Sequence, residues 1–134
     1  MSRQTKVVLA HQPEGTICPA DFRVESAPKP VRESSQALLA VEWLSMDPYL
    51  RGVIAGRHLG HAIEPGNQIP GLGLARVLTA PASGPVKPGD RVITACGWCQ
   101  YTCVTADELT PLKFPEDIPE TAALGILGMP GLAA

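Results

Sequence analysis

The stretch Gln36–Arg51, QALLAVEWLSMDPYLR, contains the change of pattern on which the fold turns. Over Gln36–Leu44 the side chains alternate: Ala37, Leu39, Val41 and Trp43 share one face, while Glu42 marks the other as at least partly wet. A period of two belongs to a strand with one face in a core, so a strand is predicted over Gln36–Leu44. The alternation stops at Asp47-Pro48. Aspartate accepts hydrogen bonds from the free N–H groups of a first helical turn, and proline suits the first helical position because its missing N–H would have no partner there. A short helical turn through Tyr49-Leu50-Arg51 is expected to follow.

Outward from this stretch the chain reads as further short strands joined by turns. Lys6–His11 and Asp21–Glu25 form an opening meander, with turn chemistry at Gln12-Pro13-Glu14-Gly15. Ala27–Ser35 is polar and carries proline, which suits a surface loop. Gly52–Asn67 has glycines without periodicity and reads as an irregular excursion. Gly71–Ala80 is another strand, ended by the turn cluster Pro81–Pro85. Lys87-Pro88-Gly89-Asp90 fits a type II turn, which needs a positive φ at its third residue. Arg91–Ala95 leaves it as a strand, and a reversal at Gly97-Trp98 predicts a hairpin with Cys99–Thr105. Asp117-Ile118-Pro119-Glu120 resembles a capping box ahead of a helix over Thr121–Leu127, which Gly128–Gly131 would interrupt.

Composition bounds what such a chain does. With 134 residues, 45% hydrophobic and 18% charged, it is one globular domain, and its 13 glycines and 14 prolines are scattered, as in a mainly β fold. A net charge of -2 with interspersed signs leaves no basic stripe, which excludes nucleic acid as the main partner. The apolar run Val7–Ala10 is too short for a signal peptide, and Ala122–Ala134 is too short and too rich in glycine and proline to span a bilayer. A cytoplasmic protein with no membrane partner is expected. Of the four cysteines, Cys96, Cys99 and Cys103 have a C-x2-C-x3-C spacing that invites a metal site. A closed zinc site needs four ligands and Cys18 is the only other cysteine, so packed thiols are the preferred reading.

Four landmarks occur in order: Met46-Asp47-Pro48-Tyr49-Leu50-Arg51, Lys87-Pro88-Gly89-Asp90-Arg91-Val92, Gly97-Trp98 with Tyr101, and Leu124–Leu132 with its Gly-Met-Pro-Gly-Leu core. In these the chain resembles the zinc-independent medium-chain dehydrogenase/reductases, most closely the NADPH-dependent alkenal and prostaglandin double-bond reductases. The Pro-Gly-Asp-x-Val turn is shared widely among such enzymes, whereas the Asp-Pro-Tyr and Gly-Met-Pro-Gly-Leu stretches are far more specific. The resemblance implies a GroES-like, partly open β-barrel with short helices over residues 1–121, and residues 122–134 starting the connection to a Rossmann cofactor domain that the chain stops short of. The zinc branch would place a cysteine near residues 44–47 and a His-Glu pair near 71–76. Here Leu44-Ser45-Met46-Asp47 and Gly71-Leu72-Gly73-Leu74-Ala75-Arg76 stand instead, so no metal is expected, and His11, His58 and His61 read as surface or loop histidines.

The implied chemistry is hydride transfer from NADPH to the β-carbon of an α,β-unsaturated aldehyde or ketone, followed by protonation of the enolate. A donor at the carbonyl oxygen lowers the barrier because charge develops there only in the transition state. By the family pattern, Tyr49 faces the nicotinamide and substrate, with Asp47 and Pro48 fixing its direction. Met129, Pro130 and Gly131 lie against the nicotinamide, and Trp98 lines the substrate pocket. No residue of this chain is assigned a catalytic role. The plainer alternatives are a helix cap at Asp47, a packed ring at Tyr49, a packing anchor at Trp98 and helix-breaking punctuation at 129–131. The glycine-rich dinucleotide fingerprint is not completed, since Gly71-x-Gly73 meets Arg76 at its sixth position. The chain alone is therefore expected to bind NADPH poorly, its partners being an enone or alkenal and a Rossmann domain in cis or trans. The alternative is a non-catalytic remnant that binds a partner or forms a homodimer through apolar surface.

Overall fold

The predicted strand at Gln36–Leu44 forms over those residues and becomes an interior strand of the larger sheet. The computed structural model describes residues 2–46, 49–55, 63–113 and 119–123. Their elements in chain order are β1 (Arg3–Leu9), β2 (Phe22–Pro28), β3 (Gln36–Leu44), α1 (Tyr49–Ile54), β4 (Gly73–Thr79), β5 (Arg91–Thr94) and β6 (Tyr101–Thr105), with short 3₁₀ turns at Pro19–Asp21, Ala106–Glu108 and Glu120–Ala123. The mainly β reading holds. The helix starting at Tyr49 runs on to Ile54, β2 extends to Pro28 into the expected loop, and of the helix predicted over Thr121–Leu127 only a 3₁₀ turn at Glu120–Ala123 lies among the described residues.

β1 and β2 form an antiparallel pair in register from Arg3 opposite Pro28 to Leu9 opposite Phe22. The other four strands form one antiparallel sheet in the order β5-β4-β3-β6. The two sheets are laced together through β1: Val7 N–H donates to Trp98 O (2.9 Å), Gln100 N–H to Thr5 O (3.2 Å) and Ile69 N–H to Val7 O (3.1 Å). Isolated bridges pair Lys6 with Cys99 and Val8 with Gln68. The result is a curved, partly open barrel rather than a closed one. Ahead of β2, buried Asp21 accepts the Cys18 N–H (2.9 Å), and its other oxygen lies 2.9 Å from His11 Nε2.

The predicted hairpin between Arg91–Ala95 and Cys99–Thr105 does not form. β5 pairs only with β4 and β6 only with β3, so the two occupy opposite edges of the sheet. The cause is where the intervening backbone finds its partners: Gly97 N–H donates to Gly71 O (3.0 Å) and Trp98 N–H to Ile69 O (2.9 Å). The reversal at Gly97-Trp98 exists, but it docks on 69–71 and β1 instead of folding β6 back onto β5.

A second correction concerns β3. Ala37 and Leu39 are fully buried, as the alternation requires, but Trp43 is 58% exposed. The pairing with β4 shifts register between Val41 and Trp43, and an extra residue in a ladder reverses the face presented by the residues beyond it. By contrast the Lys87–Asp90 turn is as expected: Gly89 has φ 95° and Asp90 N–H donates to Lys87 O (3.1 Å). Two apolar clusters fill the molecule. Leu39, Val77 and Val92 centre one under the larger sheet, and Leu9, Ile69 and α1 form the other.

Candidate functional site

α1 is short, YLRGVI, and owes its place to packing rather than to propensity. Leu50, Val53 and Ile54 fall three and four residues apart, so they share one face, and all three are buried. That face enters the cluster of Leu9, Ile63 and Ile69. Arg51 points elsewhere; it is exposed and makes no ion pair with another described residue.

Trp98 reaches the same cluster from the segment after β5. Its backbone is clamped on both sides, donating to Ile69 O and accepting from Val7 N–H. Its ring stacks on Phe22, centroids 5.7 Å apart and planes at 26°. Gly71 lies between it and the helix: a Cβ there would meet Trp98 Nε1 at 3.5 Å and Leu50 Cδ1 at 3.9 Å, ordinary contact distances. Trp98, Gly71 and the helix that begins at Tyr49 therefore meet. The Trp98 Nε1–H is buried and has no hydrogen-bond partner among the described residues. An unpaired buried donor costs about 1–3 kcal/mol, so among the described residues this edge of the indole is an unsatisfied polar point beside an apolar cluster.

Of the residues singled out in the sequence, Tyr49 is the first residue of α1 and Trp98 packs against the cluster to which Leu50, Val53 and Ile54 of that helix belong. Asp47, Pro48, Met129, Pro130 and Gly131 lie outside the described residues, as do His58 and His61. Sequence reasoning passed over Gln68, and took Gly71 only as the start of a strand and of an incomplete fingerprint. Gln68 Nε2 donates to Cys96 O (3.4 Å) and occupies the space a side chain at Gly97 would need. Only the glycine at 97 hinted at such a close neighbour. Two surface grooves, of about 630 Å³ beside the 80–90 turn and about 600 Å³ beside Lys29 and Val31, include neither Trp98 nor any residue of α1.

Burial pushes three of the thiols towards the neutral form. Burial, and secondarily the neighbouring Cys99, pushes Cys96 up to about 11 from the usual 9.0. Burial also raises Cys99 and Cys103. Among the described residues no group of three or more His, Cys, Asp or Glu is placed to hold a metal ion. Gly73, the second glycine of the incomplete fingerprint, opens β4, and its Cβ position is filled by the Cys96 sulfur and the Trp43 carbonyl, which leaves no cradle for a phosphate. Among the described residues no helix is long and apolar enough to cross a membrane.

A family model described as the N-terminal domain of oxidoreductase matches residues 5–112. The chain is 32% identical over 133 residues to the NADPH-dependent curcumin reductase of Escherichia coli (strain K12), covering 98% of this chain and 38% of that protein. It is 32% identical over 123 residues to prostaglandin reductase 1 of Mus musculus, covering 90% of this chain and 35% of that protein. Among solved structures, CurA from Vibrio vulnificus superposes with a TM-score of 0.83 at 26% identity, over 96% of this chain and 38% of that one. The chain thus spans under two-fifths of the length of the relatives it matches.

Proposed function

From the premise that the chain belongs to the medium-chain dehydrogenase/reductase family, as the N-terminal domain of an oxidoreductase, we propose that it supplies the substrate-side wall of an NADPH-dependent reductase. The substrates are the C=C bonds of α,β-unsaturated aldehydes or ketones. The observation that carries this proposal is the meeting of α1 and the Trp98 turn in one apolar cluster, since each of these segments carries one of the four landmarks of the resemblance. Residues 1–121 are the barrel and 122–134 lead towards a Rossmann domain, present in cis or in trans. Tyr49, with Asp47 and Pro48 setting its direction, borders the substrate and cofactor, Trp98 backs the substrate pocket, and Met129, Pro130 and Gly131 border the cofactor. What this chain does chemically is orient the substrate and keep water from it, because hydrogen bonds to a developing enolate oxygen are strongest in a dry, preorganised site.

The test is NADPH oxidation with a panel of enones and alkenals, comparing the chain alone with the chain joined to the remainder of the E. coli curcumin reductase. Turnover in the joined protein alone, reduced by Tyr49→Phe, is the expected result. Turnover by the isolated chain, or a folded joined protein that binds NADPH yet reduces none of the panel, would overturn it. Trp43 and Met46, 58% and 65% exposed at the end of β3, favour a second function, a barrel that pairs with a partner or a copy of itself through this surface. Sedimentation of the chain alone decides that, since a homodimer dispersed by Trp43→Ser would support it and a monomer at all concentrations would not.

A further inference from the structure

Cys96-Gly97-Trp98-Cys99 is a C-x-x-C sequence that reductase chemistry leaves unused, and the fold bends it back on itself. Gly97 has φ 75°, a left-handed conformation open to glycine, and Gln68 closes the space beside it. Past this bend the Cys99 N–H donates to Gly97 O (3.1 Å) and the Cys99 thiol to Cys96 O (3.3 Å). The sulfur of the fourth residue is thereby brought back onto the backbone of the first. A disulfide needs its Cβ atoms about 3.5–4.5 Å apart, a separation set by how far the bend closes, while rotation about each Cα–Cβ bond turns the two sulfurs toward one another. Cys103 stands apart on β6, and Cys18 is exposed ahead of the Pro19–Asp21 turn.

The two thiols differ in a way that sets an order of attack. Cys96 is 4% exposed, its sulfur resting where a Gly73 side chain would be. Cys99 is half-buried, lies opposite Lys6 across the bridge to β1, and is reached by the Gln68 side chain, two neighbours that favour its thiolate even though burial outweighs them. The nearby Cys99 also disfavours ionisation of Cys96, as two thiols of one site do.

We propose that Cys96 and Cys99 are a redox-active dithiol that closes to an intramolecular disulfide across the Gly97-Trp98 bend on reaction with a small-molecule disulfide such as oxidised glutathione. Cys99 loses its proton and its sulfur attacks one sulfur of the reagent; the reagent's S–S bond breaks, and one glutathione leaves and takes up the proton. Cys96 then loses its proton, its sulfur attacks the Cys99 sulfur, and the second glutathione leaves as a thiol. The protein gives up two electrons and two protons and the reagent accepts both. Because Trp98 sits inside the ring so formed and packs against α1, closure bears on the helix that begins at Tyr49. Nothing in this depends on which substrate the enzyme reduces.

The experiment treats the full chain with oxidised glutathione and maps all four cysteines by peptide mass spectrometry, alongside Cys18→Ser/Cys103→Ser, which retains only the pair. The expected product is two hydrogens lighter, keeps no glutathione, carries its link within the peptide spanning Cys96 and Cys99, and reverts with dithiothreitol. Cys99→Ser abolishes the link. A stable glutathione adduct on wild-type Cys99, a link to Cys103 instead, or thiols that stay free in the folded chain while the urea-unfolded chain oxidises would each overturn the proposal. Mapping the wild-type chain keeps the answer independent of whether any variant folds.

Discussion

Replacing Gly73 by alanine probes the seam where β3, β4 and the segment after β5 come together. A Cβ at this position would run into the Cys96 sulfur and would lie 2.8 Å from the Trp43 carbonyl oxygen and 3.5 Å from Leu44 Cδ2. The sulfur ends a short side chain and can rotate. The carbonyl cannot move without displacing β3, whose Leu44 is paired with Gly73 itself. One methylene too many in a filled site costs about 1–3 kcal/mol, while alanine regains up to ~1 kcal/mol of the backbone entropy that glycine gives up in a strand. The net expectation is a loss of about 1–2 kcal/mol, or a fall in Tm of roughly 3–8 °C for a domain of this size. Calorimetry of the full chain measures it. In the double variant Gly73→Ala/Cys96→Ala the sulfur is gone but the carbonyl remains, so the combined loss should be smaller than the sum of the two single losses without vanishing. A Gly73→Ala chain that melts with its parent would refute the close packing of β4 on β3.

Gly89 makes the contrasting case, since its φ is 95° but nothing lies within 4 Å of an added Cβ; Gly89→Ala should cost about 1–2 kcal/mol in urea titrations, purely as backbone strain, and Gly89→Asn less. Glu42 lies 2.6 Å from Arg91 Nε and 3.9 Å from an Arg76 nitrogen on a partly exposed sheet face. Glu42→Gln should therefore cost no more than about 1 kcal/mol in urea titrations at low salt, and less as salt is added. Cys96 is raised by burial to about 11 from 9.0, so the fold prefers the neutral thiol. The stability this contributes is complete below pH 9 and is lost as pH rises through 11. Cys96→Ala should flatten that part of the pH–stability curve, and an unchanged slope would show that Cys96 is not the group responsible.

What could be read from the sequence was what neighbouring residues decide among themselves. β3 announced itself by alternation and the Lys87–Asp90 turn by proline and glycine in fixed positions, and both formed where expected. Trp43 was assigned to the wrong face because a register shift depends on the partner strand, which alternation cannot reveal. The hairpin between β5 and β6 failed for the same reason: a reversal at Gly97-Trp98 says that the chain turns, not which edge receives it. At the candidate site the residue types of Tyr49 and Trp98 were legible. The arrival of Trp98 at the cluster that holds Leu50, Val53 and Ile54 was not, because it is made by backbone pairing with Val7 and Ile69, which lie far from it in sequence.

The placement of β5 and β6 on opposite margins also governs how the molecule assembles. β1 with β2, and β4 with β5, join neighbours in sequence and close small loops, so these pairs are the early ones. β3 waits for Tyr101–Thr105 to cover its second side, and β1 waits for the backbone around Ile69 and Trp98. A nascent chain emerging from the ribosome thus carries a bare row of amides along an apolar strand until Tyr101–Thr105 has been made. Refolding of the full chain is therefore expected to be slow and to gain from dilution, which refolding yield measured against protein concentration would check.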